Sequence, residues 1–546
     1  MHVQRIYEIS EEQMSEYTGS RIFQVSNRVV EPKEDEHGNL LKVASGGLDE
    51  AIARPFGNIY SIRVGWNGET VDADPENFDW RKHVKIKHYQ TDDGPISYCT
   101  APLPQKILDD YYNGLNNRFT WMLNHELIDR ATQPYLVKDA GGNLVFDEKI
   151  FMRHVAAARQ ANRIFAEMIS ETFSLKPDDT VIGHDSHVGP LANILRNELD
   201  QDCAMGFFLH TPQVDPKLLD RLSDVQKQFV LKTLREDILA YDFAAFQSKE
   251  DVQHFGKALD LKLPQDIKPY ESYEISGNFP NKKGFRGTRI GTFPVVGNYD
   301  LYPAQAAAAR KQAIAYLRKF GITPKDFIIF SGGVRADVTK GIPTLAKGIC
   351  AAAWKLASQN AGLQRGRTIF VQQTQRTRPG VKDYDNEYFE IVRTHTRLRR
   401  LLPHGWEFFL DAKGRDRKLL LALSVLAGIV AHTPKKDGYN LAACEQTVVQ
   451  HKKNPATLVI SHGAGAGRHI GEKGAVIVNG KRRSSVTAGI VKAKWMSPLK
   501  KVEMHKAAMK QLKQVSNAEW QCGLYEGTRR GYLDNRNRAS PSPECV

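Results

Sequence analysis

Residues 326–341 read DFIIFSGGVRADVTKG: an apolar run from Asp326 to Ser331, a glycine pair, then Arg335 and Lys340 ahead of a helix-length stretch, Gly341 to Gln359. A short β-branched and aromatic run, a glycine-rich tip and a long amphipathic segment make one winding of a parallel α/β sheet. The unit returns: strands are expected at Thr368 to Gln372, Ala427 to His432, Thr457 to Ser461 and Ala475 to Val478. A further helix, Pro303 to Phe320, is alanine-rich and closed by Gly321.

Upstream the alternation continues less cleanly, in Thr180 to Gly183 before His184-Asp185 and in Ala204 to Leu209 before His210-Thr211-Pro212. A long helix, Glu148 to Phe173, precedes the first of these. Pro264 to Gly287 reads as hairpin or loop, and a strand Arg289 to Val296 closes the first domain, with the boundary near residue 300. The fold class is therefore α/β, with two Rossmann-like doubly wound domains whose strand ends face a central cleft. Residues 1–300 form the first domain and 301–490 the second. Residues 491–533 form C-terminal helices packing back on the first, and 534–546 a disordered tail. Glu31 to Gly38 reads as a mobile loop.

With 546 residues, 41% hydrophobic and 25% charged, the chain has apolar material for two cores. Its longest apolar run, Leu419 to Ala431, falls short of the roughly 20 residues that cross a bilayer. It reads as a buried helix running into a strand. The N-terminus has no apolar signal core, so the cytoplasm is the default compartment. The six cysteines are far apart, without Cys-x-x-Cys or nearby histidines at ligand spacing, so neither a disulfide framework nor a zinc site is expected. A net charge of +14 points to anionic partners, namely nucleic acid, an acidic membrane surface or small phosphorylated ligands, among which charge alone does not choose; no nucleic-acid module and no membrane segment is seen.

The chemistry-bearing residues follow strands. Arg335, Lys340 and the start of the next helix would together neutralise a diphosphate, the role a metal ion plays elsewhere; the bland reading is a surface salt bridge to Asp337. Asp437-Gly438-Tyr439-Asn440-Leu441, with Glu445 one turn on, suits sugar hydroxyls and phosphate, with Glu445 left for a ribose; the bland reading is an N-cap and turn. His184 and His187 form a candidate metal pair without a third ligand, and no metal is expected. Asp72-Ala73-Asp74 matches a DxD pattern by chance. Gly463-Ala464-Gly465-Ala466-Gly467 could approach a phosphate but lacks dinucleotide-fingerprint spacing.

Taken in order, these blocks resemble the trehalose-6-phosphate synthase family, retaining glycosyltransferases of two-domain GT-B fold, over roughly residues 20 to 480. The resemblance rests on Ser26-Asn27-Arg28, Gly46-Gly47-Leu48, Gly65-Trp66-Asn67-Gly68-Glu69, Tyr111-Tyr112-Asn113-Gly114 with Trp121, His184-Asp185-x-His187, Phe207 to Pro212, Phe246-Gln247, Arg335 to Pro343, Arg378, Asp437 to Glu445 and Ser461 to Gly465. It implies that Arg28, Tyr112, Trp121 and Arg378 hold the phosphate and ring of a hexose 6-phosphate acceptor. Gly47, Arg335, Lys340 and the Asp437, Gly438, Tyr439, Asn440, Leu441 loop hold the donor, with Glu445 on its ribose. Asp185 and His210 line the reaction centre. The implied reaction needs no cofactor beyond a nucleotide sugar as co-substrate, UDP-, GDP- or ADP-linked. It proceeds by front-face transfer with retention, Arg335 and Lys340 stabilising the departing diphosphate. Replacing Lys340 by Ala is then expected to lower turnover by orders of magnitude and barely touch stability.

The chain departs from the family where substrates are held. Ser186 replaces the tyrosine of His-Asp-Tyr-His, Thr120-Trp121-Met122 replaces Leu-Trp-Pro, Gln213-Val214-Asp215 replaces Pro-Phe-Pro, Tyr439 replaces a methionine, and Gly333-Val334 precedes Arg335 in place of valine and aspartate. Donor base, acceptor and oligomeric state, a homo-oligomer included, stay open. The rivals are a glucosylglycerol-phosphate synthase, a pseudoglycosyltransferase joining a nucleotide cyclitol to an amino-cyclitol phosphate, and a non-catalytic sugar-phosphate-binding protein.

Overall fold

The computed structural model describes residues 6–10, 20–34, 40–41, 51–52, 59–275, 287–359, 366–378 and 381–539. The chain forms two compact units, Met1–Val295 with Ala518–Val546, and Val296–Asn517. The crossing point falls five residues before the expected position, because the strand expected from Arg289 to Val296 ends at Thr292.

The first unit is built on ten strands: β1 Ile6–Ile9, β2 Arg21–Arg28, β5 Tyr60–Val71, β6 Lys85–Thr91, β7 Gly94–Pro104, β10 Thr180–His184, β11 Ala204–Leu209, β12 Phe243–Phe246, β13 Ser272–Ile275 and β14 Thr288–Thr292. The numbers left between them belong to two small hairpins, β3 Lys33–Glu34 with β4 Leu40–Leu41 and β8 Leu136–Lys138 with β9 Leu144–Phe146. The sheet order is β1-β6-β7-β5-β2-β10-β11-β12-β14-β13. From β7 to β14 every neighbour is parallel. All residues of β10 and β11 are buried, as in strands covered on both faces. The strand order reverses between β2 and β10, and loops leaving the carboxyl ends there open a crevice suited to ligands.

The second unit holds six parallel strands, β15 Phe327–Arg335, β16 Thr368–Gln375, β17 Trp406–Asp411, β18 Ile429–His432, β19 Thr457–Ser461 and β20 Val476–Val478, ordered β17-β16-β15-β18-β19-β20. Its reversal lies between β15 and β18. One face packs Ile329, Phe370, Ile429 and Val459 against Leu345, Ile349 and Val486. The other packs Phe330 and Val371 against Ala313, Leu317 and Leu423. The long apolar run is a helix, Arg417–Val425, running into β18.

β15 runs four residues beyond Ser331. Gly333, at φ +73°, bulges the strand and donates its N–H to Gln373 Oε1 at 2.8 Å, after which pairing resumes at Val334 with Thr374. Edge strand β17 was not anticipated.

The C-terminal block divides. The helix Pro498–Leu512 stays with the second unit, whereas the following helix, Asn517–Ala539, covers the first. Trp520 is fully buried against Phe208 at 5.2 Å, and Thr528 sits over Gly206, where a Cβ would lie 2.2 Å from its hydroxyl. Residues 534–539, expected in the tail, belong to this helix. Asn535 is buried and donates to Asp242 Oδ1 at 2.9 Å, and Asp534 pairs with Arg289 at 3.1 Å. These side chains hold the helix to the sheet.

Candidate active site

In the first unit the expected residues gather at the switch point. Arg28 ends β2, Asp185 follows β10 and His210 follows β11. A contiguous series joins the first two. The Arg28 guanidinium lies 5.7 Å from the Trp66 ring, Trp66 lies 5.9 Å from Tyr112, Tyr112 lies 5.8 Å from His187, and His187 Nδ1 lies 3.6 Å from Asp185 Oδ2. Gly68 serves this arrangement: at φ +95° a Cβ would come within 3.0 Å of Arg28 Nη2. Tyr112 is carried by a π-helix, Leu108–Thr120, a wide i→i+5 coil that recurs at functional sites. Trp121 follows directly, its ring 4.3 Å from His125. Gly47 lies outside the described residues.

Asp185 has φ +74° and ψ 164°, a backbone conformation costly for any residue other than glycine. The turn is fixed by its surroundings: Asp185 N–H donates to Phe208 O at 2.8 Å, Asn162 donates to His187 O at 2.9 Å and the Tyr241 hydroxyl to Val188 O at 2.7 Å. Burial alone would raise the Asp185 carboxyl. The His187 imidazole, with His210 and the Ser186 N–H, outweighs it and holds the group well below the usual carboxylate range. Asp185 is thus ionised, and its Oδ1 is buried with no hydrogen-bond partner among the described residues. A buried unpaired carboxylate oxygen costs about 1–3 kcal/mol or more and marks an acceptor site for a ligand hydroxyl.

His184 and His210 are hydrogen-bonding partners. His184 Nε2 meets Gln24 Oε1 at 3.2 Å, and His184 Nδ1 meets His210 Nε2 at 3.2 Å. Since Gln24 Oε1 only accepts, His184 carries its proton on Nε2, and His210 Nε2 donates to His184 Nδ1. Burial pushes His210 down to about 4 against the attraction of Asp185, and pushes His184 well down too, helped by His210 and Arg63. Both rings are neutral near pH 7.

In the second unit Lys340 Nζ donates to Asp437 Oδ2 at 2.6 Å, both side chains largely buried. The loop is rigid. Asn440, at φ +79°, donates to the same Asp437 oxygen at 3.1 Å and caps the helix Leu441–Val448 by accepting from Ala443 N–H. The Tyr439 hydroxyl meets His469 Nδ1 at 2.6 Å. Glu445, in that helix, lies 3.8 Å from Arg417. Lys340 thus pairs with Asp437 and not with Asp337, which caps Thr339 N–H instead. The partly buried pair also corrects the expectation that losing Lys340 barely touches stability. A 3₁₀ turn, Val338–Lys340, and Gly341 at φ +65° separate Lys340 from the helix, which starts at Ile342. Arg335 ends β15. Arg378, at φ +51°, lies over the Tyr384 ring and donates to its hydroxyl.

The glycine run after β19 packs the Asp437 loop. A Cβ on Gly463 would meet Lys435 O at 2.4 Å and one on Gly465 would meet Gly438 O at 2.1 Å. Asp74, in the DxD triplet, caps a 3₁₀ turn. Sequence reasoning assigned no role to Trp66, although the block Gly65 to Glu69 was visible; its position between Arg28 and Tyr112 depends on strand pairing. Among the described residues no cluster of three or more potential ligands is placed to hold a metal ion, and no helix is long and apolar enough to cross a membrane.

Comparison with known proteins matches the model of glycosyltransferase family 20 over residues 20–527. The trehalose-6-phosphate synthase of Escherichia coli O1:K1 is 26% identical over 489 residues, 89% of this chain and 90% of the relative. The UDP-forming alpha,alpha-trehalose-phosphate synthase A of Dictyostelium discoideum is 26% identical over 531 residues, 96% of this chain and 63% of that one. Among solved structures, the UDP-forming enzyme of Burkholderia vietnamiensis superposes with TM-score 0.77 at 24% identity, covering 96% of this chain and 99% of that one. The Burkholderia xenovorans enzyme in complex with glucose-6-phosphate gives TM-score 0.75 at 21% identity, covering 93% and 100%. A family match over nearly the whole chain, on two sheets with parallel cores and expected residues at their switch points, places this hexosyltransferase of GT-B fold in glycosyltransferase family 20, the trehalose-6-phosphate synthase family.

Proposed function

We propose that the chain transfers glucose from a nucleoside diphosphate glucose to glucose 6-phosphate, with retention, forming alpha,alpha-trehalose 6-phosphate. The observation that carries the reading is the ionised Asp185 with its unpartnered Oδ1, in line with Tyr112, Trp66 and Arg28. An arginine for the phosphate, aromatic faces for the sugar ring and a carboxylate for hydroxyls are what a hexose phosphate requires. In the second unit the Lys340 ammonium has three donors, so it can keep Asp437 and still donate to a pyrophosphate oxygen. With Arg335 it would stabilise the charge that grows on the leaving diphosphate. That diphosphate deprotonates the acceptor hydroxyl, so no protein nucleophile is needed. Glu445 is assigned to the donor ribose, and Arg378 to the acceptor phosphate.

The test is release of nucleoside diphosphate by the purified chain from UDP-, GDP- and ADP-glucose with glucose 6-phosphate, the product's anomeric configuration being read by NMR. Release with an α,α-linked product is expected. Release only with glycerol phosphate or an amino-cyclitol phosphate would replace this acceptor; no release with any acceptor would remove the reading.

A further inference from the structure

Behind the turn that carries Asp185, the first unit holds a cavity of about 840 Å³, within the range of small-molecule sites. The helix Glu148–Phe173 lines it with Met152, Val155 and Ala158, the π-helix with Leu115 and Phe119, and Phe229 faces in as well. Its wall also includes Thr120, Ser186, Gln213 and Val214, four positions at which this chain departs from its family's pattern. Ser186 stands where the family carries tyrosine, Thr120 where it carries leucine, and Gln213-Val214 within the stretch of Pro-Phe-Pro. Ser186, Thr120 and Val214 are each smaller than the residue they replace and add to the space, whereas Gln213 is not.

The charges on the wall are uneven. Arg159 is already paired with Glu198, and Lys232 lies 3.6 Å from Glu236. Asp237 is buried, accepts from Asn193 Nδ2 at 2.9 Å and has no cation in ion-pair reach among the described residues. Burial pushes its carboxyl up to about 6 against the pull of Asn193 and of the more distant Arg159 and Lys232, so at neutral pH a costly negative charge sits in the wall without a cation in contact. We propose that this cavity binds a small, largely apolar amine, its body between Val155, Phe119 and Phe229 and its ammonium paired with Asp237. The amine brings a cation into ion-pair distance of Asp237, closer than Arg159 and Lys232, and the phenyl faces favour a cation near them.

The probe is 2-naphthylmethylamine, titrated calorimetrically into the full chain beside 2-naphthoate, which has the same ring system and the opposite charge. Saturable one-to-one binding of the amine is expected, with the carboxylate weaker by about 10-fold or more. Asp237→Asn should weaken the amine by a similar factor and erase the preference between the two, and Ser186→Tyr should weaken both by refilling the space. On the unaltered protein, hydrogen exchange should slow in residues 115–124 and 225–238 when the amine is bound, a readout that survives should either variant fail to fold. Equal affinity for amine and carboxylate, unchanged affinity in folded Asp237→Asn, or protection confined to other segments would overturn the proposal.

Discussion

Lys340 and Asp437, 97 residues apart in sequence, meet at 2.6 Å where the strand order of the second unit reverses. One closes the turn after β15, the other opens the loop after β18. The pair ties the two sides of the switch point together and sets a cation beside the helix start at Leu441.

Replacing Lys340 by Ala therefore has two effects. It removes a leaving-group contact, lowering kcat by about 10²–10³-fold. It also takes the ammonium away from the buried Asp437 carboxylate, lowering stability by about 1–3 kcal/mol. Urea unfolding of K340A, D437N and the double variant measures the second effect, and the double variant should lose less than the two singles together. Additive losses would show that the pair does not couple.

Asp185→Asn keeps the side-chain shape and carries the same backbone strain as the aspartate, since both are L residues held at φ +74° and ψ 164°. It removes the charge that receives a substrate hydroxyl. The expected result is a fall in kcat/KM of about 10²-fold or more, with a melting temperature no more than about 4 °C below the parent. A large fall in melting temperature would make the residue structural.

His210 ties stability to pH in a defined window. Its folded-state pKa of about 4 lies below the ordinary histidine value of about 6.5, so the unfolded chain binds the extra proton first as pH falls. The contribution is whole above about 6.5 and is lost as pH drops towards 4. Buried His395 and His432, also near 4, add to the same slope. Between pH 7 and 4.5 the urea midpoint should fall, and less steeply in His210→Gln. Asp185 acts at lower pH and stays out of this window.

Gly68→Ala is predicted to act on the acceptor alone. Its Cβ would crowd Arg28 Nη2 at 3.0 Å in a backbone conformation that disfavours alanine. The cost is about 1 kcal/mol in stability, together with a raised KM for hexose 6-phosphate and an unchanged KM for the nucleotide sugar. Steady-state kinetics with each substrate varied separately distinguishes this from general damage, in which both constants would move.

Periodicity and punctuation in the sequence determined five of the six parallel strands of the second unit, the helix Glu148–Phe173 and the placing of Asp185 and His210 just after strand ends. Those features are local: a buried parallel strand must be apolar along its length, and its carboxyl end must turn where polar or glycine residues permit. The order of the blocks, compared with a known family, supplied roles for Arg28, Tyr112 and Lys340. Only the tertiary structure decided what no neighbouring residue specifies. The pairing of β2 with β5 set Trp66 between Arg28 and Tyr112, the β15 bulge carried the strand on to Arg335, and Asp437 took Lys340 from the nearer Asp337. The smaller residues at 120, 186 and 214 were legible one by one, but their shared cavity was not. A contact across scores of residues depends on strand order and register, which are fixed by burying the whole sheet at once, and a single segment carries no trace of that choice.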